Sequence, residues 1–151
     1  MAGLYHDFFI KEEKVFLDID YVYPENRVDT IMLHDDFIWY IYDGLKWIAN
    51  YNPSKQESCM GLCLYGVTEI YGDALVQFRG ILSAYRNLFE YGPNKIILTG
   101  LYGFEDSEDI DTGAYDKLSY NKKHLLEKLN NLIEMCTKAL SEDKSILHYG
   151  I

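Results

Sequence analysis

Between Glu105 and Asp116 the chain places six carboxylates, from Glu105, Asp106, Glu108, Asp109, Asp111 and Asp116, with no basic side chain among them. Such a cluster can hold a cation, shuttle a proton or attract a basic partner. A calcium loop of the EF-hand type needs oxygen ligands at fixed positions, a glycine midway and a closing glutamate. Counting from Asp109 puts Asp111 in place, but Gly113 falls one position early and Tyr120 stands where the glutamate belongs. Only a weak, irregular calcium site is open to this segment, and no metal is expected. The plain alternative is a solvated loop kept extended by its own repulsion. The remaining reading is an interface. Tyr102, Phe104 and Tyr115 flank the acids, and aromatic anchors among carboxylates suit Lys and Arg on a partner through charge-assisted hydrogen bonds and cation–π contacts. The expected partner-binding set is therefore Tyr102, Phe104, Glu105, Asp106, Glu108, Asp109, Asp111, Tyr115 and Asp116.

Other chemistry finds little support. Asp18 and Asp20 share a strand face about 7 Å apart, yet nothing locates the cleft that paired-carboxylate acid–base catalysis requires. No G-x-S-x-G is present, and Ser83 lies inside a helical pattern. No Walker A or G-x-G-x-x-G sequence occurs. His6, His34, His124 and His148 are scattered along the chain. Cys59 and Cys63 are four apart without a second pair or a nearby His to complete a zinc site, so they and Cys136 are read as buried thiols. The run His34-Asp35-Asp36 could ligate a metal, but a helix cap accounts for the aspartates more simply. No catalytic residue and no cofactor are expected.

The chain has 151 residues, 48% of them hydrophobic and 15% aromatic, including 14 Tyr. That length suggests one domain over residues 1–151 and is enough for an independent core. The formal net charge is −10, which repels nucleic acid and steers basic proteins inward. The 105–116 loop supplies six of the 24 Asp and Glu, so the imbalance is a local patch. No apolar run is long enough to span a bilayer, and the N-terminal segment lacks the basic start of a secretory signal. A cytoplasmic location without membrane attachment is the expectation.

Around these residues the periodicity predicts the scaffold. Residues 4–10 and 15–23 alternate as strands, and 27–33 forms a third. Phe37, Ile41, Leu45 and Ile48 recur at helical spacing with Asp35 or Asp36 at the cap. Residues 61–72 read as a central strand apolar on both faces. Leu75, Phe78, Leu82, Tyr85 and Phe89 mark a helix closed by Gly92-Pro93. Residues 95–104 read as another two-sided strand. Leu125, Leu126, Leu129, Leu132, Ile133, Cys136 and Leu140 draw the clearest helical stripe, with Ser119 at its cap. The tail from Lys144 is either a short strand or a loose end. Taking 61–101 as one βαβ unit with parallel strands, the expected fold class is α+β: a mixed sheet of about five strands with two or three helices packed on it.

The helix ending in "LFEYGP", the strand "KIILTGLY" and the closing "LSYNKKHLLEKLNNLIEMCTKAL" resemble small bacterial immunity proteins of contact-dependent growth inhibition and polymorphic toxin systems. The resemblance covers about 90 of the 151 residues. It implies a cytoplasmic protein without catalysis that binds a cognate toxin domain, often a basic nuclease, and blocks its site. It transfers no residue roles; the acidic surface above is read from charge alone. The alternative is a small enzyme or ligand-binding domain, its site at the ends of the βαβ strands near Tyr71 to Asp73 and Tyr102 to Phe104. Exposed aromatics such as Trp39 and Trp47 also admit an assembly role, giving a monomer or weak dimer.

Overall fold

The computed structural model describes residues 4–12, 29–104 and 110–151. Its elements run β1 (Tyr5–Ile10), β2 (Ile31–His34), α1 (Asp35–Leu45), β3 (Ala49–Asn52), β4 (Glu57–Met60), β5 (Val67–Ile70), α2 (Asp73–Glu90), β6 (Lys95–Gly103), a 3-10 turn (Ile110–Thr112), β7 (Ala114–Asn121), α3 (Lys122–Ser141) and β8 (Ile146–Tyr149). The class is α+β. The expected strand at 15–23, with Asp18 and Asp20, lies outside the described residues.

Six strands form one sheet in the order β2-β1-β8-β5-β3-β4, and β6 and β7 form a separate hairpin. Every described strand pair is antiparallel. This corrects the expected mixed sheet and βαβ unit. Among the described residues β5 pairs with β3 and β8 and β6 pairs with β7 alone, so α2 connects two sheets and makes no parallel crossover. The hydrophobic run at 61–72 misled because only Val67–Ile70 is strand; Gly61 to Gly66 form a turn that buries Gly61 and Leu62 and exposes Tyr65. Residues 95–103 are not two-sided either. Ile96 and Leu98 face the core while Ile97 is 59% exposed.

The tail resolves in favour of a strand, and a central one. β8 lies between β1 and β5, and all four of its residues are buried. Two-sided burial of this kind needs apolar side chains on both faces, which Ile146, Leu147 and Tyr149 supply.

The helices cover one face of the sheet. Phe37, Ile38, Ile41 and Leu45 of α1, Leu75, Phe78, Leu82 and Phe89 of α2, and Leu125, Leu129, Leu132, Met135, Cys136 and Ala139 of α3 are all buried. With Phe8, Leu33, Ile70 and Ile146 from the sheet they make a single core. On the sheet's other face Phe9, Val67, Leu147 and Tyr149 make a second, smaller cluster. The caps differ from expectation. His34 caps α1 by accepting the Asp36 N–H at Nδ1, 3.1 Å away, and Asn121 caps α3 by accepting from His124 N–H at 3.1 Å. Ser119 is instead a β7 residue, paired with Ile97, because the strand runs straight into the helix.

Candidate functional site

Helix α1 buries one stripe and leaves Asp36, Trp39 and Tyr40 on its free side, three positions that fall together at helical spacing. Facing them are Thr99, Gly100 and Leu101 of β6 and Asp116 and Leu118 of β7. Together these residues enclose a cleft of about 270 Å³. Its floor is Leu118, paired across the hairpin with Leu98. Its walls are two aromatic rings, and its charged groups are the carboxylates of Asp36 and Asp116, with no basic residue in the lining.

Hairpin geometry brings Asp116 into this cleft. The β6–β7 register shifts between Thr99 and Tyr102, the sign of a bulge that re-aims side chains. Gly100 sits at that shift, where an added Cβ would come within 3.1 Å of Asp116 Cβ. A side chain at position 100 would make Asp116 give way by a few tenths of an ångström.

An aromatic scaffold supports the cleft from behind. Tyr40 packs on Phe89, with ring centroids 6.3 Å apart, and Phe89 in turn touches Phe37 and Tyr85. Phe37 meets Tyr120 edge-on at 5.9 Å. Burial pushes the Tyr120 hydroxyl up to about 12, and the Asp36 charge adds to that shift. Tyr85 is also raised, first by burial and then by Tyr40 and Asp43. His34 Nδ1 lies 3.4 Å from Asp36 Oδ2. That nitrogen already accepts the Asp36 backbone N–H.

Of the nine sequence-predicted residues, Tyr102, Phe104 and Tyr115 come together at the far end of the hairpin. Tyr102 and Tyr115 meet edge-to-face at 5.0 Å, and Phe104 lies 6.3 Å from Tyr102. Asp116 belongs to the cleft. Asp111 is exposed in the 3-10 turn. Glu105, Asp106, Glu108 and Asp109 lie outside the described residues. Sequence reasoning missed Asp36, Trp39 and Tyr40 as a set, having taken Asp36 for a cap and Trp39 for an assembly contact. The signal was available in their shared helical side, off the apolar stripe.

A second constellation is internal. Asp35, in the first turn of α1, accepts from His6 Nε2 at 2.8 Å. His6 Nδ1 is 2.8 Å from His148 Nε2, and His148 Nδ1 is 3.2 Å from Thr68 Oγ1. Thr68 Oγ1 also accepts the Cys63 N–H at 2.7 Å. One proton arrangement satisfies the whole chain. The Thr68 hydroxyl donates to His148 Nδ1, His148 Nε2–H donates to His6 Nδ1, and His6 Nε2–H donates to the Asp35 carboxylate. Burial holds His148 well below the ordinary histidine range, and the neighbouring His6 adds to the effect. Both histidines and Thr68 are fully buried, and the chain reaches partial exposure at Asp35, whose side chain is 15% exposed. Among the described residues no three His, Cys, Asp or Glu gather as metal ligands.

No protein-family model, curated protein or solved structure matches this chain. No helix among the described residues is long and apolar enough to cross a membrane.

Proposed function

We propose that this protein is a bacterial immunity protein, acting in the cytoplasm of the cell it protects, which binds a cognate basic toxin domain through an acidic surface and performs no catalysis. The observation that carries the reading is the cleft between α1 and the β6–β7 hairpin, where two carboxylates and two aromatic rings stand with no basic residue in the lining, Lys117 Nζ bonding the lining Thr99 at 3.2 Å. That composition suits a Lys or Arg side chain, whose charge the carboxylates attract and whose flat or methylene surface the rings cover. The same hairpin leads into the six-carboxylate segment. A nuclease site is positive because it must hold phosphates, and an inhibitor offering carboxylates competes for those cations. Steering by the net charge of −10 raises the association rate above the neutral range of about 10⁵–10⁶ M⁻¹s⁻¹.

The alternative, an enzyme or ligand-binding domain, loses its geometric premise. A site at the ends of parallel strands requires β5 and β6 side by side, and they belong to different sheets. Tyr71 is instead tied to Asp143, donating to its carboxylate at 2.6 Å.

The test is co-expression with the toxin domain encoded beside this gene. Stable co-purification, with affinity that weakens as salt rises, is the expected result. A neighbouring toxin that is acidic, or a basic one that fails to associate at low salt, would remove the proposal.

A further inference from the structure

The cysteines depart from the expectation of three buried thiols. Cys136 is buried, but Cys59 and Cys63 are each partly exposed. Their sulfurs lie 3.5 Å apart. Cys59 belongs to the edge strand β4, opposite Asn50. Cys63 lies in the turn that follows. We infer that Cys59 and Cys63 are a redox pair, closing a reversible disulfide when a low-molecular-weight disulfide of the glutathione type oxidises them.

Three features support this assignment. First, the backbone on both sides is already held. Gly61 N–H donates to Ile48 O at 2.8 Å, Asn50 Nδ2 donates to Gly61 O at 2.9 Å, and Cys63 N–H donates to Thr68 Oγ1 at 2.7 Å. The sulfurs need to close only by about 1.5 Å to bonding distance, a movement that side-chain rotation can supply. Second, the two sulfurs are not equivalent. Asn52 Nδ2 donates to Cys63 Sγ at 3.5 Å. Cys59 keeps its proton, pushed up to about 12 by burial and by the hydrogen bond it shares with Cys63. Cys63 is therefore the attacking sulfur and Cys59 the resolving one. Third, only Met60, Gly61 and Leu62 separate the pair. A loop so short removes little entropy from the unfolded chain, so the bond adds little stability. A weakly stabilised, accessible disulfide is readily reduced, and this marks the pair as a switch rather than a structural cross-link.

The reaction balances in two exchanges. The Cys63 thiolate attacks one sulfur of the small disulfide, forms a mixed disulfide and releases one small thiolate. The Cys59 sulfur then attacks Cys63 Sγ, closes the Cys59–Cys63 bond and expels the second small thiolate. The protons given up by the two cysteines pass to the released thiolates. Two protein thiols are oxidised by two electrons as one small disulfide becomes two thiols, and excess small thiol reverses both steps.

The experiment equilibrates the folded protein with glutathione at graded ratios of reduced to oxidised form. Free thiols are then alkylated, and peptides are mapped by mass spectrometry. The expected outcome is a peptide spanning Cys59 and Cys63 that has lost two hydrogens, with Cys136 alkylated only after unfolding. Cys59→Ser should accumulate glutathione on Cys63, and Cys63→Ser should leave Cys59 largely unmodified. Both thiols remaining open to alkylation in excess oxidised glutathione, with no adduct on Cys59→Ser, overturns the assignment. So does a cross-link to Cys136.

Discussion

Nδ1 of His6 lies 2.8 Å from Nε2 of His148, although the two stand 142 positions apart in the chain. The rings stack with centroids 5.1 Å apart, and Asp35, Thr68 and Phe8 complete their surroundings. His148 is held below its ordinary value, so the unfolded chain binds the proton first as pH falls. Stability is then fully present above about pH 6.5 and declines below it, by up to about 1.4 kcal/mol per pH unit for this one group until the folded form protonates too. Urea unfolding at several pH values between 8 and 5 should show a plateau and then this decline. His148→Phe should flatten the decline while lowering stability at pH 8 by about 2 kcal/mol, since it leaves His6 Nδ1 and the Thr68 hydroxyl without their partner. A wild-type profile without slope below pH 6.5 would contradict a buried, neutral His148.

The cleft carboxylates can be neutralised without touching the core, because Asp36 and Asp116 are solvent-accessible. Asp36→Asn with Asp116→Asn should leave the unfolding midpoint nearly unchanged and slow association with a basic toxin domain several-fold. Trp39→Ala should chiefly speed dissociation, costing about 1–2 kcal/mol of affinity if the ring covers a partner's cation. Stopped-flow mixing separates the two effects. Unchanged rates in both variants would place the interface elsewhere.

Replacing Glu105, Asp106, Glu108 and Asp109 by their amides removes four of the six charges in the acidic segment. The circular dichroism spectrum should not change. The association rate should fall and its dependence on ionic strength should flatten, because screening acts on exposed charges. An identical salt slope before and after would show that the segment takes no part in capture.

Gly150 has no room for a side chain. A Cβ there would collide with the carbonyl of Leu64, where Gly150 N–H bonds Gly66 O and Ile151 N–H bonds Leu64 O, both at 2.8 Å. Gly150→Ala should destabilise the protein by about 1–3 kcal/mol through forced displacement of that backbone. Thermal unfolding reads the loss directly, and a variant as stable as the parent would mean the 64–66 turn yields easily.

Helix positions were legible in the sequence because each apolar stripe, such as Leu75-Phe78-Leu82 or Leu125-Leu129-Leu132, reports its own burial. Strand partners were not. An apolar run such as Gly61 to Val67 looks alike whether it enters a parallel sheet or folds into a turn, and periodicity says nothing about which strand lies beside it. The aromatic contact of Tyr102 with Tyr115 was readable from local composition. The cleft itself was not, since it joins Asp36 to Asp116 across 80 positions through a bulge that no local pattern announces. The histidine chain was hidden for the same reason: His6 and His148 meet only after β8 inserts beside β1.

That insertion also bears on the order of folding. The β3–β4 and β6–β7 hairpins and the α2–α3 pair join neighbouring stretches and can form quickly, whereas β8 must bridge β1 and β5 across most of the chain's contour. Closing so distant a contact is slow. Until it closes, β1 and β5 each present an unpaired apolar edge, and it is in that interval that a newly made copy is most exposed to sticking to its neighbours.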